Sequence, residues 1–450
     1  MSFTAIFRGL IGIILLVAIA FLFSNNKKKI NWRLVLGGLS LQIVFAIVIL
    51  KGDVLKDYFS PFGWPKDFFN WVSSFFVLIL NFTSEGAQFV FGNLALGPGT
   101  IGSLGSFFAF QVLPTIIFFA SVMSILYYLG IMQKVVQAMA WVMAKVMGTS
   151  GAESLSCTAN IFVGQTEAPL MIKPFIKGAT NSELLTIMIG GMATISGGVM
   201  AAYIQILGSS YAQTLHLPLA QAQQIFATQL LGASVMAAPA ALVISKILFP
   251  EVSDPETKGT VKVKVEKNAS NLVEAAANGA SDGLTLALNV GAMLIAFIAL
   301  IALVNYLLQG LGDVTGWNTA LKATYGHPLN FQLIIGWVLQ FLAYGIGVPW
   351  HESLNFGSLI GTKVVLNEFV AYLELGKMIA AKTMTNPKAI FMATYALCGF
   401  ANFSSIAIQI GGIGPLAPSR KPDLAKLGFR AVLGGSLATL MTATLAGILF

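Results

Sequence analysis

Two carboxylates stand in otherwise apolar stretches. Glu167 lies in GQTEAPL at 164–170, and Glu368 lies in LIGTKVVLNEFVAY at 359–372. An ionised acid at the centre of a bilayer costs about 2.5–3.5 kcal/mol even on the lenient insertion scale, so such residues usually face a cavity or a partner. The alternative for either is a protonated group that glues a hairpin to backbone. No Lys or Arg accompanies Glu167, and only Lys363 is near Glu368. An anionic substrate would therefore lack a basic clamp. The polar company is Gln, Asn, Thr and Ser, which suits a neutral molecule with hydroxyl and amide-type edges. A carboxylate accepts from sugar hydroxyls, and Gln165 both donates and accepts, as a nucleobase edge requires. Phe400 is either a wall for such a ligand or packing.

The elements that must position these residues are membrane spans. Of 450 residues, 56% are hydrophobic and 10% charged, and mean hydropathy is +0.80. Soluble domains carry about 25% charged residues. A soluble enzyme, a disordered regulator and a nucleic-acid-binding domain are disfavoured; a polytopic all-α membrane protein is expected. Eight apolar runs are long enough to span: 10–23, 34–50, 107–131, 184–207, 225–249, 284–308, 389–410 and 431–450. The first is read as retained, since no small-residue cleavage pattern follows it. Basic residues collect in segments 27–33, 250–282 (Lys258, Lys262, Lys264, Lys267) and 419–430. All three fall on the cytoplasmic side if both termini are outside. The net charge of +8 fits such loops better than nucleic acid.

Two apolar regions are too interrupted to cross. Residues 154–177 are broken at Gly164-Gln165-Thr166-Glu167-Ala168-Pro169, and residues 353–376 at Asn367-Glu368. The ten residues before the first break reach roughly 15 Å as a helix, only to the midplane. Both read as re-entrant hairpins, whose tips must be buried in protein or line a wet cavity. Each is preceded by an interfacial segment (132–147 and 331–350). Each is followed by a span with small or hydroxylated residues at its centre: Thr194-Ile195-Ser196-Gly197-Gly198, then Phe400-Ala401-Asn402-Phe403-Ser404-Ser405. The order occurs twice, over 132–249 and 331–450, from opposite sides. Inverted repeats with discontinuous helices meeting at a midplane site are the organisation of secondary transporters. Residues 1–131 and 250–330 would then be scaffold.

Other chemistry finds little support. His351-Glu352 lacks a second His at metalloprotease spacing, and no GxxxxGK[ST] loop is present. Cys157 and Cys398 form no CxxC pair. A cation channel would want a continuous polar stripe, whereas the polar residues here sit at discrete tips. No enzymatic site and no organic cofactor is expected.

The stretches GQTEAPL at 164–170, GVPW at 347–350, LIGTKVVLNEFVAY at 359–372 and CGFANFSSIAIQIGGIGPLAP at 398–418 resemble the concentrative nucleoside transporter family, bacterial branch, over nearly the whole chain. The resemblance implies a homotrimer with scaffold and transport domains, moving its site by an elevator-like motion in a bacterial inner membrane. It implies that Gln165, Thr166 and Glu167 face the nucleobase with Val199 packing on it. Glu368, Asn402 and Ser405 would hold the ribose, and Phe400 would line the pocket. It implies a sodium site at Asn160, Val163, Thr194 and Ile195, partly through backbone carbonyls. Sodium-coupled uptake of uridine, other pyrimidine nucleosides and some purine nucleosides is the expectation. Proton coupling through Glu167 or Glu368, or another neutral solute, is the alternative.

Overall fold

A computed structural model describes residues 3–97, 100–105, 107–259 and 269–450. Among these no strand forms, and every regular element is a helix. In order the helices are α1 (Phe3–Leu22), α2 (Trp32–Tyr58), α3 (Trp64–Phe91), α4 (Phe108–Gln111), α5 (Leu113–Tyr128), α6 (Ile131–Met147), α7 (Gly151–Ala159), α8 (Lys173–Ile176), α9 (Asn181–Ala193), α10 (Gly197–Leu215), α11 (Leu219–Leu248), α12 (Leu272–Val314), α13 (Trp317–Tyr325), α14 (Phe331–Gly345), α15 (Trp350–Val365), α16 (Glu368–Ala380), α17 (Pro387–Leu397), α18 (Phe403–Ile413) and α19 (Lys421–Leu449).

The ends of these helices define two faces. On the basic face, the Asn25 amide donates to the Leu248 carbonyl, and Ser182 Oγ donates to the Phe249 carbonyl. There Arg420 bonds the Lys177 and Ala179 carbonyls and Asn181 Oδ1. The starts of α2, α9 and α19 and the end of α11 thus share one side. On the opposite face, Arg8 donates to the Tyr344 and Val348 carbonyls, and Gly9 packs on Ile448 near the end of α19.

The eight expected spans correspond to α1, α2, α4–α5, α9–α10, α11, α12, α17–α18 and α19. One detail differs from the sequence reading. The polar loop was expected to run to residue 282, but α12 starts at Leu272, where Asn271 caps it by accepting from the Glu274 amide, and Asp282 lies inside the helix. Lys262, Lys264 and Lys267 lie outside the described residues, whereas Lys258 is described. The fourth and seventh spans are each broken, as their small and hydroxylated centres suggest, into α9 and α10 and into α17 and α18.

α3 was not anticipated. It lies within one of the eight helical stretches long and apolar enough to cross a membrane among the described residues. Yet both its ends lie at one face. The Asn70 carbonyl accepts from Gln224 near the start of α11, and Gln111 near the start of α5 bonds the Leu94 and Leu96 carbonyls just past the end of α3. Those two helix starts line one cavity of about 840 Å³ together with Thr83 and Ala87 of α3. An unbroken helix of 28 residues with both ends at one face runs along that face rather than across, so α3 adds no crossing to the eight.

Burial separates the helices. α11 is buried along its whole apolar window and α9–α10 likewise, whereas α12 is mostly exposed. α12 lies against α5 at Gly279 and Gly283, where an added Cβ would come within 2.7 Å of the Ala120 carbonyl oxygen and 2.8 Å of Ile117 Cα. This small-xxx-small spacing lets two backbones approach where lipid supplies no hydrophobic drive.

Candidate functional site

Hairpin 1 begins with a capping box: Ser150 Oγ accepts from the Glu153 amide, and Glu153 Oε1 accepts from the Ser150 amide. α7 runs nine residues and stops at Ala159. An irregular tip follows. The Gly164 carbonyl accepts from the Glu167 and Ala168 amides, both at 3.1 Å, and Pro169 opens a single turn of tighter helix. Glu167 turns its carboxylate back onto the Gly164 amide and is otherwise exposed. A Cβ at Gly164 would come within 2.5 Å of that carboxylate, so a larger residue there would displace the end of the Glu167 side chain.

Hairpin 2 descends as α15, and its tip is only Leu366-Asn367. Asn367 Oδ1 caps α16 by accepting from the Val370 amide, which sets Glu368 as the first helical residue, where the helix dipole favours an anion. Glu368 is 5% exposed. Its Oε1 accepts from the Tyr203 hydroxyl at 2.9 Å and its Oε2 from Asn402 Nδ2 at 3.0 Å. Asn402 also caps α18 through Oδ1, which accepts from the Ser405 amide at 2.9 Å. Lys363 is turned away to the Ala396 carbonyl and Thr439. Glu352 serves structure, with Oε1 accepting from the Thr385 and Asn386 amides.

The two tips and the two broken helices enclose one pocket. Gln165, Thr166, Glu167, Val199, Glu368, Phe400, Asn402 and Ser405 all line it. Gln165 ties hairpin 1 to α18: its Nε2 donates to Ser405 Oγ at 3.0 Å, and its Oε1 accepts from Gln409 Nε2 at 3.0 Å. Leu286, Val290 and Leu294 of α12 close the pocket with an apolar stripe at helical spacing. Sequence reasoning missed Tyr203 and Gln409. Each lies four residues after an anticipated one, Val199 and Ser405, on the same helical face, and that period was the available signal.

The four residues implied for an ion sit beside this pocket. The Gly197 amide donates to the Phe162 carbonyl at 3.1 Å, which joins the hairpin end carrying Asn160 and Val163 to the break carrying Thr194 and Ile195. Thr194 Oγ1 donates to the Gly190 carbonyl, leaving its lone pairs for another partner. Asn160 Nδ2 donates to the Ser156 carbonyl, while Asn160 Oδ1 is buried with no hydrogen-bond partner. A buried orphan acceptor beside other oxygens suits a hard cation. Among the described residues no group of three His, Cys, Asp or Glu could hold a metal ion.

A discontinuous-helix, two-hairpin membrane protein with a polar pocket where its helix breaks and hairpin tips meet is a secondary-transporter architecture. Residues 11–94 and 229–447 match the N- and C-terminal profiles of the Na+ dependent nucleoside transporters, and 109–210 match a profile described as Gate, nucleoside recognition. The chain is 44% identical to the uncharacterized transporter YutK of Bacillus subtilis, over 98% of each protein. It is 39% identical to sodium/nucleoside cotransporter 2 of Rattus norvegicus, over 98% of this chain and 62% of that protein. CNTnw in an inward-facing substrate-bound state superposes with a TM-score of 0.83 at 38% identity, covering 98% of each chain. A CNTnw variant in an outward-facing state gives 0.84 at 38% identity, over 99% and 98%. The chain belongs to the nucleoside transporter family of these proteins. It is a multi-pass membrane transporter and not an enzyme.

Proposed function

We propose that the protein is a secondary active symporter that couples sodium influx to concentrative nucleoside uptake. One observation carries this reading. A buried carboxylate held by two donors (Glu368 with Tyr203 and Asn402) faces an amide-bearing tip (Gln165) across one pocket, beside the orphaned Asn160 oxygen. Glu368, Asn402 and Ser405 take the ribose hydroxyls. Gln165, Thr166 and Glu167 take the base edge, with Val199 and Phe400 as apolar walls. Sodium takes Asn160 Oδ1, the Thr194 hydroxyl and backbone carbonyls at Val163 and Ile195. Uridine and other pyrimidine nucleosides are substrates. Some purine nucleosides follow, because the small Gly164 leaves the tip room. Nucleotides compete poorly, since a phosphate finds no basic partner in the pocket.

Residues 132–249 and 331–450 form the transport domain, which slides against a scaffold of 1–131 and 250–330. The assembly is a homotrimer, as the family resemblance implies. The basic face is cytoplasmic by the excess of Lys and Arg, which sets both termini outside a bacterial inner membrane. Sodium braces the 165–167 tip and so raises nucleoside affinity; by linkage, nucleoside raises sodium affinity by the same factor. The test is uridine uptake into proteoliposomes with and without a sodium gradient, choline replacing sodium. Proton coupling through Glu167 or Glu368 is the second reading, favoured by the burial of the Glu368 carboxylate with no ion pair among the described residues. Uptake driven by an inward proton gradient alone, with no response to sodium, decides for it.

A further inference from the structure

The two repeats treat the meeting point of their half-helices differently. In repeat 1, α7 and α9 both end inside the protein, packed so closely that a Cβ at Gly190 would lie 2.6 Å from Cys157 Sγ. In repeat 2, α15 and α17 end the same way, at Val365 and Leu397. A helix C-terminus carries about half a negative elementary charge from its unpaired carbonyls, so each convergence asks for a cation. Repeat 1 answers with neutral donors, Asn160 Nδ2 to the Ser156 carbonyl and Thr194 Oγ1 to the Gly190 carbonyl, and with no cationic side chain, while Asn160 Oδ1 stays an orphaned acceptor.

Repeat 2 answers with a side chain. Aligning the hairpins on Glu167 and Glu368 sets Lys363 opposite Phe162. The Phe162 carbonyl fastens hairpin 1 to its broken helix at Gly197. Lys363 fastens hairpin 2 to its own: Nζ donates to the Ala396 carbonyl at 2.8 Å, one residue before the end of α17, and to Thr439 Oγ1 at 3.0 Å. Lys363 is 1% exposed, and among the described residues no carboxylate lies within ion-pair distance of it. A buried ammonium bonded only to neutral oxygens does what a bound alkali ion does, with the difference that it cannot leave.

We infer that Lys363 is a tethered cation, filling in repeat 2 the place that the coupling ion fills in repeat 1, so that one ion travels with each nucleoside. This rests on the sodium reading of repeat 1. It assigns Lys363 a positioning role: it holds hairpin 2, and with it Glu368, against the broken helix without an ion of its own.

The experiment measures paired sodium and uridine fluxes in proteoliposomes, with uridine binding as a function of sodium concentration. Wild type gives one sodium per uridine and a Hill coefficient of about one, since that coefficient is bounded by the number of sites. Lys363→Met removes both charge-assisted hydrogen bonds that hold hairpin 2 to its broken helix, and lowers uridine affinity about tenfold. Lys363→Ser opens room beside Thr439 and Ala396 for a free ion, and its Hill coefficient rises toward about two. A two-to-one flux in wild type overturns the inference, as does wild-type affinity in Lys363→Met or a coefficient that stays at one in Lys363→Ser. If both variants fail to fold by size-exclusion chromatography, the wild-type flux ratio decides alone. Wild-type uptake that ignores sodium sinks the ion site of repeat 1 instead, so the two failures are told apart.

Discussion

The two hairpin tips carry the same residue in opposite circumstances. Glu167 ends an irregular loop, is exposed, and bonds only a backbone amide three residues away. Glu368 starts a helix, is buried, and is gripped through Tyr203 and Asn402 from two other helices. The backbone explains the contrast. Hairpin 1 spends Gly164 and Pro169 on an open turn, while hairpin 2 turns in two residues and caps α16 at once. A rigid acceptor suits the ribose, which every nucleoside shares. An adaptable one suits the base, which varies.

The largest expected effect therefore falls on the rigid tip. Glu368→Gln sets an amide against two donors and removes the charge. A hydrogen bond to a charged group is worth about 1.5–3 kcal/mol, so uridine affinity should fall roughly 10- to 150-fold. The protein should elute unchanged on size-exclusion chromatography. The companion measurement is competition by 3′-deoxyuridine: if it competes as well as uridine, Glu368 does not read the ribose.

Tyr203→Phe is milder. It deletes one of the two donors to Glu368 and keeps the ring that stacks on Tyr372 at 4.2 Å and meets Phe369 at 5.0 Å. Uridine affinity should drop about tenfold, with thermal stability in detergent nearly preserved. An unchanged affinity would mean that Asn402 alone orients the carboxylate.

Glu167→Gln should cost less, about three- to tenfold, because Glu167 is exposed and its bond to the Gly164 amide is local. The loss should also depend on the base, differing between uridine and adenosine competition. Equal losses for Glu167→Gln and Glu368→Gln, uniform across bases, would erase the contrast between the tips.

What was legible from sequence follows the same division. Glu167 and Glu368 stood out because ionisable residues in apolar frames are rare, and the spans bracketing them set both hairpins. α3 was missed because Asp67, Asn70, Ser73, Asn81, Thr83 and Glu85 interrupt its aromatic residues, so no unbroken apolar run marks it. A helix that lies along one face needs no such run. Tyr203 and Gln409 sit inside spans, where Tyr and Gln raise little alarm and only helical periodicity aims them at the pocket. The use of Asn402 was also hidden. Its type suggested ligand contact, while its position spends Oδ1 on a helix cap and Nδ2 on Glu368.

The smallest effect tests whether hairpin 1 is adaptable by itself or held partly from outside. Gln409 Nε2 donates to both Gln165 Oε1 and the Met188 carbonyl. Gln165 Nε2 is meanwhile spent on Ser405. The amide is thus fixed in one orientation, with one remaining lone pair and one remaining N–H to offer a base. Uracil and cytosine present opposite donor and acceptor patterns at the edge such an amide would meet, so a fixed amide should favour one of them modestly. Gln409→Met removes the donor and frees the Gln165 amide to turn over. Neutral hydrogen bonds are worth about 0.5–1.5 kcal/mol, so the ratio of uridine to cytidine inhibition should move by about two- to threefold toward unity, with total uptake changed little. A ratio that does not move would place the adaptability in the backbone of the tip, and Gln409 would then only satisfy the end of α9.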